Sequence, residues 1–165
     1  MPRYKVDTSF AGSEQALSAA GAYKTMIGVT ALTGATTLRR GWIDEFTCGI
    51  DGLPAATDGQ IVYDWSLCTA TGTGTSATAF TSEPSDAAAL LVYAVNHTIE
   101  PTIAAANSRH AIALNQRQSY HWWAMDLSKA LVIPAVTVNG IAGRAKSTGT
   151  GSYASTIFMS EHVTE

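Results

Sequence analysis

The sequence predicts an all-β protein, an antiparallel β-sandwich that we expect to be a jelly roll with one short helix and an N-terminal arm. Three observations support this fold class. Several short segments alternate apolar and polar residues with the period of a strand. Loops rich in Gly, Thr and Ser separate them, and no helices alternate regularly with the strands, which disfavours a parallel sheet.

Composition narrows the possible functions. The chain has 165 residues, enough for one domain with a sizeable core, and 46% of them are hydrophobic, which argues against disorder. Only 14% are charged, the net charge is −3 and the pI is about 5.7. These values disfavour a coiled coil and a nucleic-acid-binding protein. No run of apolar residues is long enough for a membrane helix, so we expect no membrane partner.

Residues 1–22 are predicted to form an arm, and residues 23–165 the sandwich domain. Charged and aromatic residues mix at the start of the arm, and a stretch of small residues follows them. Such a segment suits contact with a neighbouring protein. The candidate partner-binding residues in the arm are Arg3, Tyr4, Lys5 and Phe10.

The first strands are predicted over 25–32, 39–50 and 60–69. The third has the most regular two-residue period in the chain, in which Ile61, Tyr63, Trp65 and Leu67 alternate with Val62, Asp64, Ser66 and Cys68. In the second strand, strict alternation places Trp42, Asp44, Phe46 and Cys48 on one face, and Ile43, Glu45 and Thr47 on the other. The adjacent carboxylates of Asp44 and Glu45 should then point to opposite faces and be unable to share a ligand.

The second half of the chain contains the single predicted helix. Ser85 or Asp86 could cap two or three helical turns beginning at Ala87. Asn139-Gly140 is a strong two-residue hairpin signal. The remaining extended segments are predicted over 98–103, 111–114, 118–125, 131–134 and 153–163.

We found no motif that predicts catalysis, a metal site or a cofactor. The four histidines lack the spacing of paired metal ligands, and no nucleophile elbow or P-loop is present. Cys48 and Cys68 are expected to be buried free thiols rather than a disulfide. We therefore expect a protein that is not an enzyme, with no cofactor and no small-molecule ligand.

The tryptophans and one basic pair suggest contact surfaces. Trp122 and Trp123 are adjacent on a predicted strand, so they should point to opposite faces, and at least one should lie outside the main core. Trp123 could mark a protein interface, lie under another covering segment, or form a sugar-stacking platform with Trp122 and Tyr120. Arg39-Arg40 could bind an acidic patch or simply be a solvated strand start.

Three stretches, in order, are similar to small structural proteins of tailed-phage virions. They are Pro84-Ser-Asp-Ala-Ala-Ala with Asn96-His-Thr-Ile-Glu-Pro-Thr, then Ala111-Ile-Ala-Leu-Asn-Gln-Arg-Gln-Ser-Tyr-His-Trp, then Leu131-Val-Ile-Pro with Asn139-Gly-Ile-Ala. The proteins that they resemble are of the capsid decoration (cement) type. The resemblance covers about residues 25–165 and does not include the arm.

The resemblance implies a sandwich or jelly roll on the outside of an icosahedral head, often as a trimer. The expected partners are therefore the major capsid protein and further copies of this chain. The expected location is the outer surface of the virion, after synthesis in the host cytoplasm. The alternatives are a receptor- or carbohydrate-binding fibre module and a head–tail completion protein.

Overall fold

The computed structural model describes residues 1–11, 15, 17, 21–31, 38–51, 54, 58–148 and 156–165. Within them the regular secondary structure is β, apart from one 3₁₀ helix at Thr8–Ala11. No helix in these ranges is long and apolar enough to cross a membrane. The strands are β1 (Arg3–Asp7), β2 (Lys24–Thr30), β3 (Gly41–Asp51), β4 (Gln60–Ala70), β5 (Thr73–Ala77), β6 (Phe80–Thr81), β7 (Val92–Ile99), β8 (Thr102–Asn115), β9 (Tyr120–Trp123), β10 (Leu131–Ile133), β11 (Gly140–Ser147) and β12 (Thr156–Thr164).

The strands form two antiparallel sheets of six strands each. The first sheet has the order β10-β3-β12-β1-β6, and β9 also pairs with β3. The second has the order β5-β7-β2-β11-β4-β8. The expected all-β, antiparallel, sandwich-like fold is confirmed.

The core lies between the two sheets, where side chains from both meet. Phe46 of β3 stacks on Trp65 of β4, with 3.7 Å between ring centroids. Ile61, Tyr63 and Trp65 all point inward along β4, as its alternation predicts. Burial of these apolar surfaces is the main force that holds the sheets together.

Strict alternation fails in β3 because the strand contains a β-bulge. His162 of β12 pairs with Glu45, but the next residue, Val163, pairs with Ile43, so Asp44 is an extra residue in β3. The bulge shifts the strand by one position, and Ile43 joins Phe46 in the core. The predicted assignment of Ile43 to the opposite face from Phe46 is therefore wrong.

The helix predicted from Ala87 does not form. Residues 87–91 have no regular secondary structure, and a turn precedes them, closed by a hydrogen bond from the Asp86 amide to the Glu83 carbonyl. The Glu165 carboxylate accepts hydrogen bonds from the amides of Leu90 and Leu91, at 2.8 and 3.2 Å. These amides are the donors that continuing helical turns would require, so a tertiary contact outweighs the local preference.

An arm that leaves the domain is not confirmed. Arg3–Asp7 form β1, which lies inside the first sheet and pairs with β12 over five residues and with β6 on its other side. Tyr4 and Val6 point into the core and are almost fully buried. The predicted small-residue stretch of the arm, at 16–22, lies mostly outside the described residues.

Candidate functional site

β9 and β10 together form one interrupted edge strand along β3. β9 pairs with Glu45–Cys48, and β10 pairs with Gly41–Ile43 in the same direction. Between them, residues 124–130 leave the line of the sheet as an excursion. We call the stretch from β9 to β10 the β9–β10 edge.

Internal hydrogen bonds hold the excursion in place. The Ala124 amide bonds to the Asp44 carbonyl at 2.7 Å, which fixes the start of the excursion to the bulge of β3. The Asp126 carboxylate then accepts from the Ser128 amide at 2.7 Å, and the Lys129 amide bonds to the Asp126 carbonyl at 3.0 Å. Asp126 therefore organises a tight local turn. Such an interruption also prevents another strand from adding to this part of the sheet.

The β9–β10 edge carries much of the exposed apolar surface. The Met125 side chain is 91% exposed and Trp123 is 63% exposed. Among the large hydrophobic side chains exposed in the described residues, a majority come from this edge and the residues just after it. We call these residues the apolar edge patch: Trp123, Met125, Leu127, Val132 and Val136.

The two adjacent tryptophans point in opposite directions, as alternation predicts. Trp122 faces inward and stacks on Phe46, with 4.8 Å between centroids. Trp123 faces outward, and its ring lies 5.4 Å from the His121 ring. A shallow depression of about 330 Å³ lies here, lined by Tyr120, His121, Trp122, Trp123 and Met125.

A charged cluster adjoins this edge on the outer side of the first sheet. Arg3 binds both Asp44, at 2.9 Å, and Glu45. His121 Nε2 lies 2.7 Å from the Glu45 carboxylate, and His162 Nδ1 lies 3.6 Å from it. The cluster links β1, β12, β3 and β9.

The bulge explains how one arginine binds two adjacent carboxylates. In a regular strand Asp44 and Glu45 would point to opposite faces, as alternation predicts, but the extra residue in β3 lets both reach Arg3. The prediction that these two carboxylates cannot share a ligand is therefore wrong.

The pKa of Glu45 reflects two opposing effects. Burial alone would raise it, but hydrogen bonds from Arg3 and His121 and the neighbouring positive charges outweigh the effect of burial, so the pKa is lowered.

The other predicted contact residues are dispersed. Tyr4 is buried, and its hydroxyl donates to the Ala87 carbonyl at 2.7 Å. Lys5 pairs with Asp7 at 3.2 Å. Phe10 lies in the 3₁₀ helix, and Arg39 and Arg40 are exposed just before β3. Of the predicted set, only Arg3 joins the cluster beside the apolar edge patch, and only Trp123 belongs to the patch.

Sequence reasoning missed Met125 and Leu127. The predicted strand over 118–125 ends at Met125, and its pattern does not indicate that this side chain is exposed. One signal was present: Met125 and Leu127 lie on either side of the turn-forming Asp126, where polar residues are expected. Large apolar residues in a short turn are candidates for a contact surface.

The described residues contain no cluster of metal ligands, and both cysteines are buried. No group of three or more His, Cys, Asp or Glu among them could hold a metal ion. Cys48 and Cys68 are free and buried, as predicted, and burial raises the pKa of their thiols to about 12 and about 11. Thiols of this kind are poor nucleophiles near neutral pH.

No family model matches the chain, and neither the curated proteins nor the solved structures contain a match to it.

Proposed function

We propose that the protein is a virion structural protein of the capsid decoration type, which binds the assembled major capsid protein on the outer surface of the head and stabilises the shell. The observation that carries this proposal is the apolar edge patch, in which Trp123 and Met125 are exposed on a hydrogen-bonded excursion of an edge strand. Exposed aromatic residues and methionine are enriched at protein interfaces. The resemblance to phage virion proteins supports the choice of partner.

A jelly-roll topology would suit this role, because the fold is common in virus particles. Eight strands support it: β1, β2, β3, β4, β8, β9, β11 and β12. The first pairs with the last (β1 with β12), the second with the seventh (β2 with β11), the third with the sixth (β3 with β9) and the fourth with the fifth (β4 with β8). This pairing is that of a long hairpin rolled into two sheets. In this interpretation β5, β6 and β7 are an insertion, and β10 continues β9.

A decoration protein stabilises a shell by mass action. It binds the assembled shell and not the dissociated subunits, so its binding free energy favours the assembled state. We propose a homotrimer because three linked contacts, each weak, give a strong combined attachment through effective concentration. The low charge density of the chain is consistent with a surface that is partly covered by other subunits.

Cosedimentation with purified undecorated shells tests the proposal. Met125→Asp places a charge in the apolar edge patch, and we expect it to reduce shell binding at least about tenfold, since a few contact residues carry most of the affinity. The matched control is Ile99→Asp, because Ile99 is 62% exposed at the end of β7 in the other sheet. Equal binding by both variants would exclude the patch as the contact surface, and no binding by the unmodified protein would exclude the decoration role.

The carbohydrate-binding alternative is less well supported. A stacking platform of Trp122, Trp123 and Tyr120 needs neighbouring exposed rings, but Trp122 packs on Phe46 and Tyr120 stacks against His110. Of the three rings, Trp123 is exposed, and the other two are half-buried. Glycan-array binding that is lost in Trp123→Ala would favour this alternative over decoration.

A further inference from the structure

The core contains a fully buried carboxylate, that of Glu161, to which no described lysine or arginine is paired. Glu161 of β12 is fully buried between the sheets. Its Oε1 accepts a hydrogen bond of 2.8 Å from the Trp65 indole, whereas Oε2 has no hydrogen-bond partner among the described residues. No lysine or arginine is among the buried residues of the described chain.

An ionised carboxylate in this position would be costly, because burial removes its hydration and one hydrogen bond does not replace it. Burial raises the pKa of Glu161 to about 8, although the bond from Trp65 acts in the opposite direction. The folded-state pKa therefore lies above the unfolded value. The stability that the neutral carboxyl contributes is complete below the unfolded pKa, and it is lost as the pH rises through the folded pKa.

Glu161 is connected to the β9–β10 edge through stacked rings. Its partner Trp65 stacks on Phe46 at 3.7 Å, and Phe46 stacks on Trp122 of β9 at 4.8 Å. Trp122 precedes the exposed Trp123 directly. A change in the position of Trp65 would therefore be transmitted to the strand that carries the apolar edge patch.

We propose that Glu161 is a pH-sensitive element of the core: it is neutral in the native fold, and its ionisation at alkaline pH loosens the stack of Trp65, Phe46 and Trp122 and with it the β9–β10 edge. The loosening is a property of this chain alone. Weaker partner binding at alkaline pH would follow from the loosening, and this consequence rests on the proposed function. The loosening can therefore be tested separately from the decoration role.

Four other titratable groups of the core have pKa values shifted away from pH 8. Burial raises the pKa of Tyr63 and of Tyr93 far above the range of interest, with the charge of Glu165 adding to the effect at Tyr93. The pKa of Cys48 is raised by burial to about 12, and that of His110 is lowered by burial. A core transition between pH 7 and 9.5 would therefore be assigned to Glu161.

Near-ultraviolet circular dichroism of the tryptophans and amide hydrogen exchange of β9, from pH 6 to 9.5, test the proposal. We expect the native protein to lose aromatic signal around pH 8, and the protection factors of the β9 amides to fall about tenfold. Glu161→Gln keeps an oxygen acceptor for Trp65 but cannot ionise, so it should show neither change. A native protein without a transition, or a variant with the same transition, would overturn the proposal.

A second variant keeps the test decisive if Glu161→Gln does not fold. Trp65→Phe removes the N–H that favours the ionised carboxylate, so the transition should move to higher pH. A transition that stays in place, or moves to lower pH, would contradict the assignment to Glu161. Carbon-13 NMR titration of the Glu161 carboxyl in the native protein measures the same group directly, and a midpoint near 4.5 would exclude the proposal.

Discussion

The guanidinium of Arg3 binds the carboxylate of Asp44, with 2.9 Å between Nε and Oδ2, and joins β1 to the bulge of β3 across the intervening strand β12. The same guanidinium also binds Glu45. The cluster therefore connects the start of the chain to the strand that supports the β9–β10 edge. Arg3, which was expected in an N-terminal arm, instead connects two strands of the sheet through ion pairs.

Arg3→Ala should lower the free energy of unfolding by about 1 kcal/mol at pH 7, a modest effect because Arg3 is partly exposed. Because the folded-state pKa of Glu45 is lowered, its contribution is present above the unfolded pKa and is lost as the pH falls through the folded value. The difference should therefore shrink at pH 3. Urea unfolding at both pH values measures it, with Lys5→Ala, which removes the partly exposed Lys5–Asp7 pair, as the control.

Glu165→Gln should destabilise the fold by about 2 kcal/mol. The carboxylate accepts bonds from Leu90 N, Leu91 N and the Tyr93 hydroxyl, the last at 2.9 Å, and an amide can offer only one acceptor oxygen to these donors. Thermal unfolding gives the comparison. The exposed Glu83→Gln is the control and should have little effect; similar losses in the two variants would contradict the role assigned to Glu165.

Gly140→Ala should be strongly destabilising, by about 3 kcal/mol or more, because its Cβ would overlap the Val29 carbonyl oxygen on the neighbouring strand. Gly49→Ala is the milder comparison, since its nearest contact would be the Ser119 side chain at 3.3 Å. Chemical denaturation should show a larger loss of stability for Gly140→Ala than for Gly49→Ala.

The hairpin predicted at Asn139-Gly140 is not present, because β10 and β11 lie in different sheets. Gly140 instead allows the close packing of β11 against β2.

Cys48 and Cys68 should not react with a thiol reagent in the native protein at pH 8, and both should react in denaturant. Each is buried, and burial raises both thiol pKa values well above that pH. A colorimetric thiol assay with and without urea measures this. Rapid reaction of either cysteine before unfolding would show that this part of the core opens readily.

The sequence was most informative where local pattern and tertiary environment agree. The alternation of β4 correctly predicted that Ile61, Tyr63 and Trp65 share one face, and that face is buried in the core. The prediction holds because this part of the strand pairs regularly with β11. Alternation also predicted the opposite directions of Trp122 and Trp123. Both predictions depend only on the two-residue period of a strand.

The predictions that were wrong failed because of contacts between residues that are distant in the sequence. The bulge at Asp44 appears only when β3 is paired with β12, and no local residue preference announces it. The segment after Asp86 has the composition of a short helix, but the distant Glu165 side chain binds its amides. The exposure of Met125 depends on how the chain bridges β9 and β10 along β3, which a one-dimensional pattern does not contain.

The number of copies of this chain in purified virions tests the decoration proposal most directly. Quantitative mass spectrometry against the major capsid protein would give the ratio. A decoration protein on the outer surface of the head predicts hundreds of copies per particle, in fixed proportion to the capsid subunits. A dozen copies or fewer would contradict this account and favour a neck, tail or fibre position.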